Sequence, residues 1–455
     1  MIGLSGSLSI ATEALGVQTA ALEVANNNIA NANTPGYSRQ VVSLSSEASI
    51  QNGTTVDEGV SYQGFTSVRD AVLGMAINGA TSDQGSLTAQ SKLLTQINTA
   101  FAGTTTGIGA SLSTLFSDLS ALSTNPSDPS ARQTVLSDAN ALVNSFHQGA
   151  AVLSSATKAA NQQVSSAVAQ VNELSQQIAS LNGQIASAEA NGGDGGTLTD
   201  QRDELTTQMA QLIGVSTTQT GGAPTLTTAN GSPLVIGDTP YALQVTTAPD
   251  GMAHILDGQG NDITDELSGG SIGGAITVRD DTLPALSQQL DSLASQFADA
   301  MNSAQAGGYD LNGNPGVAMF AVPATGSAAA GISLSLTTGY QIAISSDGSS
   351  GSSGNLKALL AVQSNNLPGG ANPTDSYASL VGNVGFAGSQ VNSALAATTS
   401  SLQQLTSQRD SESGVSIDEE TANLIRYQQA YSAAARVISS INDLYTTLMS
   451  ISLGE

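Results

Sequence analysis

Side chains suited to chemistry near neutral pH are scarce in this sequence: there are two histidines, His147 and His254, and no cysteine. An imidazole acting as a general base or a metal ligand needs a partner group. These two lie far apart in stretches of different character, so each reads as core or surface filler. His-Glu-x-x-His and Gly-x-x-x-x-Gly-Lys are absent, which removes the common zinc-hydrolase and phosphate-cradling motifs. Asp310-x-Asn312-x-Asn314 opens like a calcium loop. Pro315 then stands where the turn glycine belongs, and Ala321 where the bidentate glutamate should be, so the segment reads as a turn. Asp257-Gly-Gln-Gly-Asn-Asp262 reads the same way. Carboxylates are numerous, but no spacing pairs two of them for acid–base work. The expectation is a non-enzyme with no catalytic, metal-binding or cofactor-binding residues.

Charge narrows the classes further. The chain carries 36 acidic against 11 basic residues, a net of −25, although only 10% of it is charged. Nucleic-acid binding needs clustered cations to neutralise phosphates. Lys92, Lys158 and Lys357 are scattered, so nucleic acid is not an expected partner, and an anionic bilayer is disfavoured for the same reason. No stretch stays apolar for the about 20 residues that crossing a bilayer takes, so no membrane insertion is expected. The opening Met1-Ile-Gly-Leu-Ser-Gly-Ser lacks the basic region and apolar core of a secretory signal. Export, where it occurs, is expected by another route, and a cysteine-free chain suits one that passes through a channel unfolded.

The elements that could position a binding surface are clearest at the two ends. Ile417, Leu424, Tyr431, Ile438 and Tyr445 recur every seven residues, Tyr427, Ala434, Ile441 and Leu448 follow three later, and Ala430, Val437, Leu444 and Ile451 flank them. That is a coiled-coil seam widened by a third track. Ser416 and Glu419 form a capping-box pattern, and Asp418, Glu419 and Glu420 put negative charge where the helix dipole favours it. At the other end Leu8, Leu15, Leu22 and Ile29 also repeat every seven residues, and this helix should stop near Asn33-Thr34-Pro35-Gly36. Each buried Leu or Ile contributes about 1.5–3 kcal/mol, so the two helices are expected to pair or to find partners. The plainer alternative is a helix pair that closes a globular domain. Tyr427 and Tyr431 at helical spacing are core by default. Arg426 and Arg436, rare cations in this chain, are placed to pair with acids across an interface; exposed pairs contribute about 0–1 kcal/mol, enough to set register.

Between the ends, residues 40–45 alternate as a short strand, and 46–70 hold short strand-like pieces punctuated by Gly53, Gly59 and Gly64. From Ala71 the chain turns helical, with Leu93, Leu94, Ile97 and Phe101 as its stripe. Another short helix buries Leu112, Leu115, Phe116, Leu119 and Leu122. Asp128 caps and Pro129 starts a helix expected to run to Ala190 on the heptad track Val164, Val171, Ile178 and Ile185. A glycine-rich turn at 191–196 sends the chain back to Ile213. From 215 to 278, short β-rich runs alternate with turns. Leu283, Leu286, Leu290, Leu293, Phe297 and Met301 then mark a return to helix, 309–346 is β-like, and 356–362 and 377–406 are helical.

Two segments carry a family resemblance. Ala25-Asn-Asn-Asn-Ile-Ala-Asn-Ala-Asn-Thr-Pro-Gly-Tyr-Ser-Arg-Gln40 resembles the signature shared by rod, hook and hook-associated proteins of the bacterial flagellum, and its ending, Tyr37-Ser-Arg-Gln40, is most similar to the hook-associated protein 1 (FlgK) family. Asp418-Glu-Glu-Thr-Ala-Asn-Leu-Ile-Arg-Tyr-Gln-Gln-Ala-Tyr431, with Ala435-Arg-Val-Ile438, is similar to that family's other signature. Asp200-Gln-Arg-Asp-Glu-Leu205 extends the likeness to the middle of the chain. The resemblance implies a structural subunit at the hook–filament junction, in a ring with copies of itself. Its partners would be hook protein, a second junction protein on the filament side, and an export chaperone that holds the C-terminal helix; its location would be extracellular, on the flagellum. The fold expected is α+β, mainly α: an elongated, multidomain chain with paired terminal helices, a long helical bundle and a small all-β insertion. The division is 1–70 with 407–455 for assembly, 71–214 with 279–406 for the bundle body, and 215–278 for the insertion. Leu8, Leu15, Leu22, Ile29, Asn33, Pro35, Gly36, Tyr37, Leu424, Arg426, Tyr427, Tyr431, Arg436, Ile438, Ile441 and Leu448 are the expected assembly residues. Two other readings stand beside it: a hook or rod axial subunit, against which the long helical bundle argues, and an extracellular adhesin whose β insertion grips a ligand.

Overall fold

A computed structural model describes residues 4–34, 36–51, 54–102, 107–191, 195–220, 223–249 and 251–452. The chain opens with α1 (Leu4–Asn31) and a long hairpin, β1 (Gln40–Gln51) with β2 (Thr54–Ser67). The body follows: α2 (Ala71–Phe101), α3 (Ile108–Ala121), α4 (Pro129–Ala190) and α5 (Gly196–Leu212). Asp128 caps α4 through the amides of Ser130 and Ala131, with Pro129 at the first helical position. The 62 residues of α4 form the longest element, about 93 Å at 1.5 Å per residue. Val164, Val171, Ile178 and Ile185 are all buried along it.

A four-stranded antiparallel meander comes next, β3 (Val215–Thr220), β4 (Ala223–Thr228), β5 (Pro233–Ile236) and β6 (Thr239–Pro240), then the hairpin β7 (Gln244–Thr247) with β8 (Ala253–Leu256). These strands lie along α4, and amide side chains on that helix hold them. Asn172 donates to Leu243 O and accepts from Leu243 N, both at 2.8 Å; Asn161 does the same for Gly251 O and Ala253 N, and Asn182 reaches Gly237 O. Leu226, Leu234, Val235 and Ile255 join the same buried cluster as the helices.

The stretch expected to be β as far as 278 ends instead as a helix, α6 (Gly270–Thr277). Its Gly-Ser-Ile-Gly-Gly-Ala-Ile-Thr sequence has poor helix propensity, and tertiary packing decides the outcome. A Cβ on Gly274 would stand 2.2 Å from Ser86 O on α2, so only glycine permits that approach. One wide turn at Val278–Thr282 leads into α7 (Leu283–Ala306), whose Leu286, Leu290, Phe297 and Met301 are buried. Phe297 packs edge-on against Phe116 and beside Phe320, with ring centroids 6.4 and 5.5 Å apart.

The β-like segment 309–346 holds only the two-residue pair β9 (Phe320–Ala321) and β10 (Ser333–Leu334), with α8 (Ala328–Gly331) between them. Isolated backbone bonds such as Tyr309 N to Ser345 O and Leu311 N to Tyr340 O hold it, and side chains of α7 add to them. On α7, Asn302 bonds Met319 N, Phe320 N and Phe320 O, and Gln305 bonds Gln341 O and Ala343 N. Then come α9 (Leu356–Ala361), α10 (Pro373–Ser413), which packs on α2, and α11 (Ile417–Ser452), which packs on α1.

Candidate assembly interface

The asparagine-rich signature closes the turn between α1 and β1, and one residue does most of it. Asn28 is fully buried. Its Nδ2 donates to Gln40 O at 2.9 Å, and its Oδ1 accepts from Gln40 N and from the Tyr37 hydroxyl, each at 2.9 Å. A side-chain amide thus pairs with a backbone amide as a neighbouring strand would. Gly36 sits at φ +77° inside this reversal, a conformation costly for a residue with a Cβ. Of the expected set, Tyr37 is tied into this turn, Asn33 is exposed, and Pro35 lies outside the described residues. Asn28 was not singled out from sequence; its signal was the asparagine run itself.

The chain crosses between this region and the body twice, after β2 and after α10, and the link between α1 and β1 ties the two crossings together. Arg39 N donates to Ser413 O and Val68 N to Arg39 O, both at 2.8 Å. Since α1 ends and α11 begins at this joint, the two helices run antiparallel away from it. Buried or half-buried Val17, Ala21, Val24 and Ala25 of α1 line one gap with Glu420, Asn423 and Tyr427 of α11. The heptad residues Leu8, Leu15, Leu22 and Ile29 are only half-buried, as are Leu424, Tyr427 and Ile438. On α11, Ile441 is 7% exposed, whereas Leu448 is 52% exposed. Tyr431, Val437 and Leu444 are exposed too. One helix of 28 residues facing one of 36 leaves roughly 12 Å of α11 beyond the described part of α1. Arg426 donates to Asn423 Oδ1 on its own helix, and Arg436 is exposed. Ser416 Oγ accepts from Glu419 N at 3.4 Å.

The hairpin adds Val41, Leu44, Val60 and Tyr62 to the exposed apolar surface, with Leu44 directly opposite Tyr62. Sequence reading reached only the first part of this hairpin, because two bulges, at Ser43/Leu44 and Glu47/Ala48, break its alternation.

The residues that could have done chemistry are engaged structurally. His147 bonds Ile332 O at 2.7 Å, tying α4 to the strand region. His254 pairs with Asp262, whose carboxyl is pulled down to about 2, first by the Thr264 hydroxyl and amide and then by the imidazole. Asp310 accepts from Asn312 N and Asn314 N at 2.8 Å and from the Asn314 side chain, and Asp257 makes the same set with Gln259 and Asn261. Both segments are turns closed by their own aspartate. Gly269-Gly-Ser271-Ile-Gly273 matches a nucleophile-elbow pattern, but it opens α6 with no strand leading into it and neither histidine partnering it. Among the described residues no three His, Cys, Asp or Glu side chains cluster as metal ligands, and no helix is long and apolar enough to cross a membrane.

Two buried arginines were also missed. Arg132, 1% exposed, donates to Pro126 O and Ile342 O, and burial lowers its pKa. Arg279, 2% exposed, forms a bidentate pair with Asp280 and donates to Ala253 O. Each fastens loop backbone to a helix. Nothing in the spacing of a single arginine announces that role.

Comparison with known proteins agrees with this architecture. The flagellar hook-associated protein FlgK helical domain family matches residues 94–320. The flagellar basal body rod FlgEFG protein C-terminal family matches 406–451, and the flagella basal body rod protein family 8–37. Flagellar hook-associated protein 1 of Salmonella typhimurium is 30% identical over 555 positions, covering 98% of this chain and 100% of the relative. Against 455 residues here, that length means the relative carries segments this chain lacks. The Bacillus subtilis protein of the same name is 27% identical, covering 96% of each chain. The solved structure of the flagellar hook junction protein FlgK from Burkholderia pseudomallei shares the fold, with a TM-score of 0.67 at 21% identity over 74% of this chain and 100% of that one. With terminal helices, signature turn and helical body all matched in order, the chain belongs to the flagellar hook-associated protein 1 family.

Proposed function

We propose that this protein is a non-enzymatic building block of the flagellum at the junction of hook and filament, assembling with copies of itself into a ring. The observation that carries the reading is the outer face of α11: Val437, Leu444 and Leu448 remain exposed after α1 has packed. A helix with an uncovered apolar stripe in water is stable when a partner covers it. On this reading α1, the hairpin and α11 form the assembly layer, made of residues 1–70 and 407–455. The bundle of 71–214 and 279–406 stands outside it together with α6, and the strands of 215–256 lie along the bundle. The expected assembly residues, Leu8 to Tyr37 and Leu424 to Leu448, act in that layer. Hook protein lies on one side and a second junction protein on the filament side. Before assembly, the stripe of α11 is the surface an export chaperone would hold, and the mature location is extracellular.

The test is electron microscopy of a strain lacking the protein, with an assay of the medium for unpolymerised flagellin. Hooks without filaments, and flagellin lost to the medium, are the expected result. Missing hooks would move the protein to the hook or rod. Normal filaments would reject the assembly role and favour an adhesin, whose ligand binding should then vanish on deletion of 215–278.

A further inference from the structure

The Asp200-Gln-Arg-Asp-Glu-Leu205 segment lies on α5 of the body, facing the end of α1 and the turn that follows it, and the assembly role leaves it without a task. Asp200 is 8% exposed. Its Oδ2 accepts from the backbone amide of Ser38 at 3.1 Å, and its Oδ1 accepts from Arg69 Nε at 3.1 Å and Nη2 at 2.8 Å. Arg69 also donates to Gly196 O, in the first turn of α5. Ser38 belongs to the link between α1 and the hairpin, inside the terminal layer, and Arg69 to the segment that joins the hairpin to the body. The other covalent crossing, at Ser413, is bound to the α1–β1 link through Arg39 N. Two neighbouring residues reinforce the contact: the Glu204 carboxylate lies 3.6 Å from where a Gly36 Cβ would be, and Thr207 donates to Asn78 of α2.

We infer that Asp200 is the latch of the joint: one carboxylate on the body grips both the α1–β1 link of the terminal layer and the segment that joins the hairpin to the body, and thereby fixes how the layer is set on the bundle. The chemistry suits that task. Charge-assisted bonds from a guanidinium fix direction as well as distance. The inference concerns orientation within one chain and is tested without a flagellum.

Because the chain has no cysteine, Gln63→Cys on β2 and Gln208→Cys on α5 can carry a clean pair of spin labels. In the full-length chain the label–label distance should form one narrow population. Asp200→Ala should broaden it, and trypsin cleavage after Arg69 should quicken about ten- to hundredfold, as loss of a charge-assisted hydrogen bond implies. Asp200→Asn, which keeps the size and the acceptor for Ser38, and Arg69→Lys, which keeps the charge and the cleavage site, should both fall between. Cleavage after Lys158, inside α4, reports on the body and should stay slow throughout. If Asp200→Ala also opens Lys158, Asp200→Asn decides: broadening with Lys158 still protected supports the latch. An unchanged distance distribution in Asp200→Asn and Arg69→Lys, or a parent already as broad as Asp200→Ala, overturns it.

Discussion

Asn28 and Asp138 show how much one polar side chain can decide here, in opposite directions. Asn28 satisfies both backbone groups of Gln40 and the Tyr37 hydroxyl. Asn28→Ala takes this partner from the buried amide and carbonyl of Gln40 and should destabilise the turn by about 2–4 kcal/mol, read as lost hydrogen-exchange protection at the Gln40 amide while α4 keeps its own. Asp138, facing Asp118 across α3 and α4, is pushed from 3.8 up to about 6 by burial and then by the hydrogen bond and charge of Asp118. The fold therefore holds a proton that the unfolded chain releases. This contribution is at its best below about pH 4 and is lost as pH rises through about 6. Asp138→Asn should stabilise the protein by about 1 kcal/mol above that range, since solvent screens part of the shift, and have little effect near pH 4; denaturant titrations at pH 4 and pH 8 would check the sign.

Elements here are held by what meets their backbones. The strands of 215–256 hang on α4 by Asn161, Asn172 and Asn182, and the loops of 309–346 hang on α7 by Asn302 and Gln305. With the charged fraction so low, uncharged amides take the place of salt bridges, a choice that burial favours because neutral groups cost less to desolvate. Close backbone approach does the remaining work between α2 and α6. Gly274→Ala puts a methyl 2.2 Å from Ser86 O, so the helices must part. The expected cost is about 1–3 kcal/mol, measured as a fall in the denaturant midpoint.

On the scale of the molecule, a rod-like body with its own continuous core carries a terminal layer whose apolar face is only half covered. Leu444→Lys with Leu448→Lys should leave the stability of the isolated chain within about 0.5 kcal/mol of the parent, as exposed substitutions do, yet abolish filament formation in a complemented deletion strain. Normal filaments from that variant would remove this face of α11 from the assembly surface.

Periodicity made the helices legible. Stripes such as Leu112 to Leu122 and Leu283 to Met301 are local patterns repeated over several turns, and burial follows them without reference to the rest of the chain. The caps and the two signature segments were legible for the same reason, since a turn or helix start is written in a few adjacent residues. Tertiary structure alone decided what depends on residues far apart in sequence. The hairpin 40–67 needed its bulges, α6 needed α2, and Arg132 and Arg279 needed the loops they fasten. Asp200 and Arg69 stand 131 positions apart. Their meeting is invisible to any window along the chain, because long-range contacts are fixed by how whole elements pack and not by the preferences of the residues that make them.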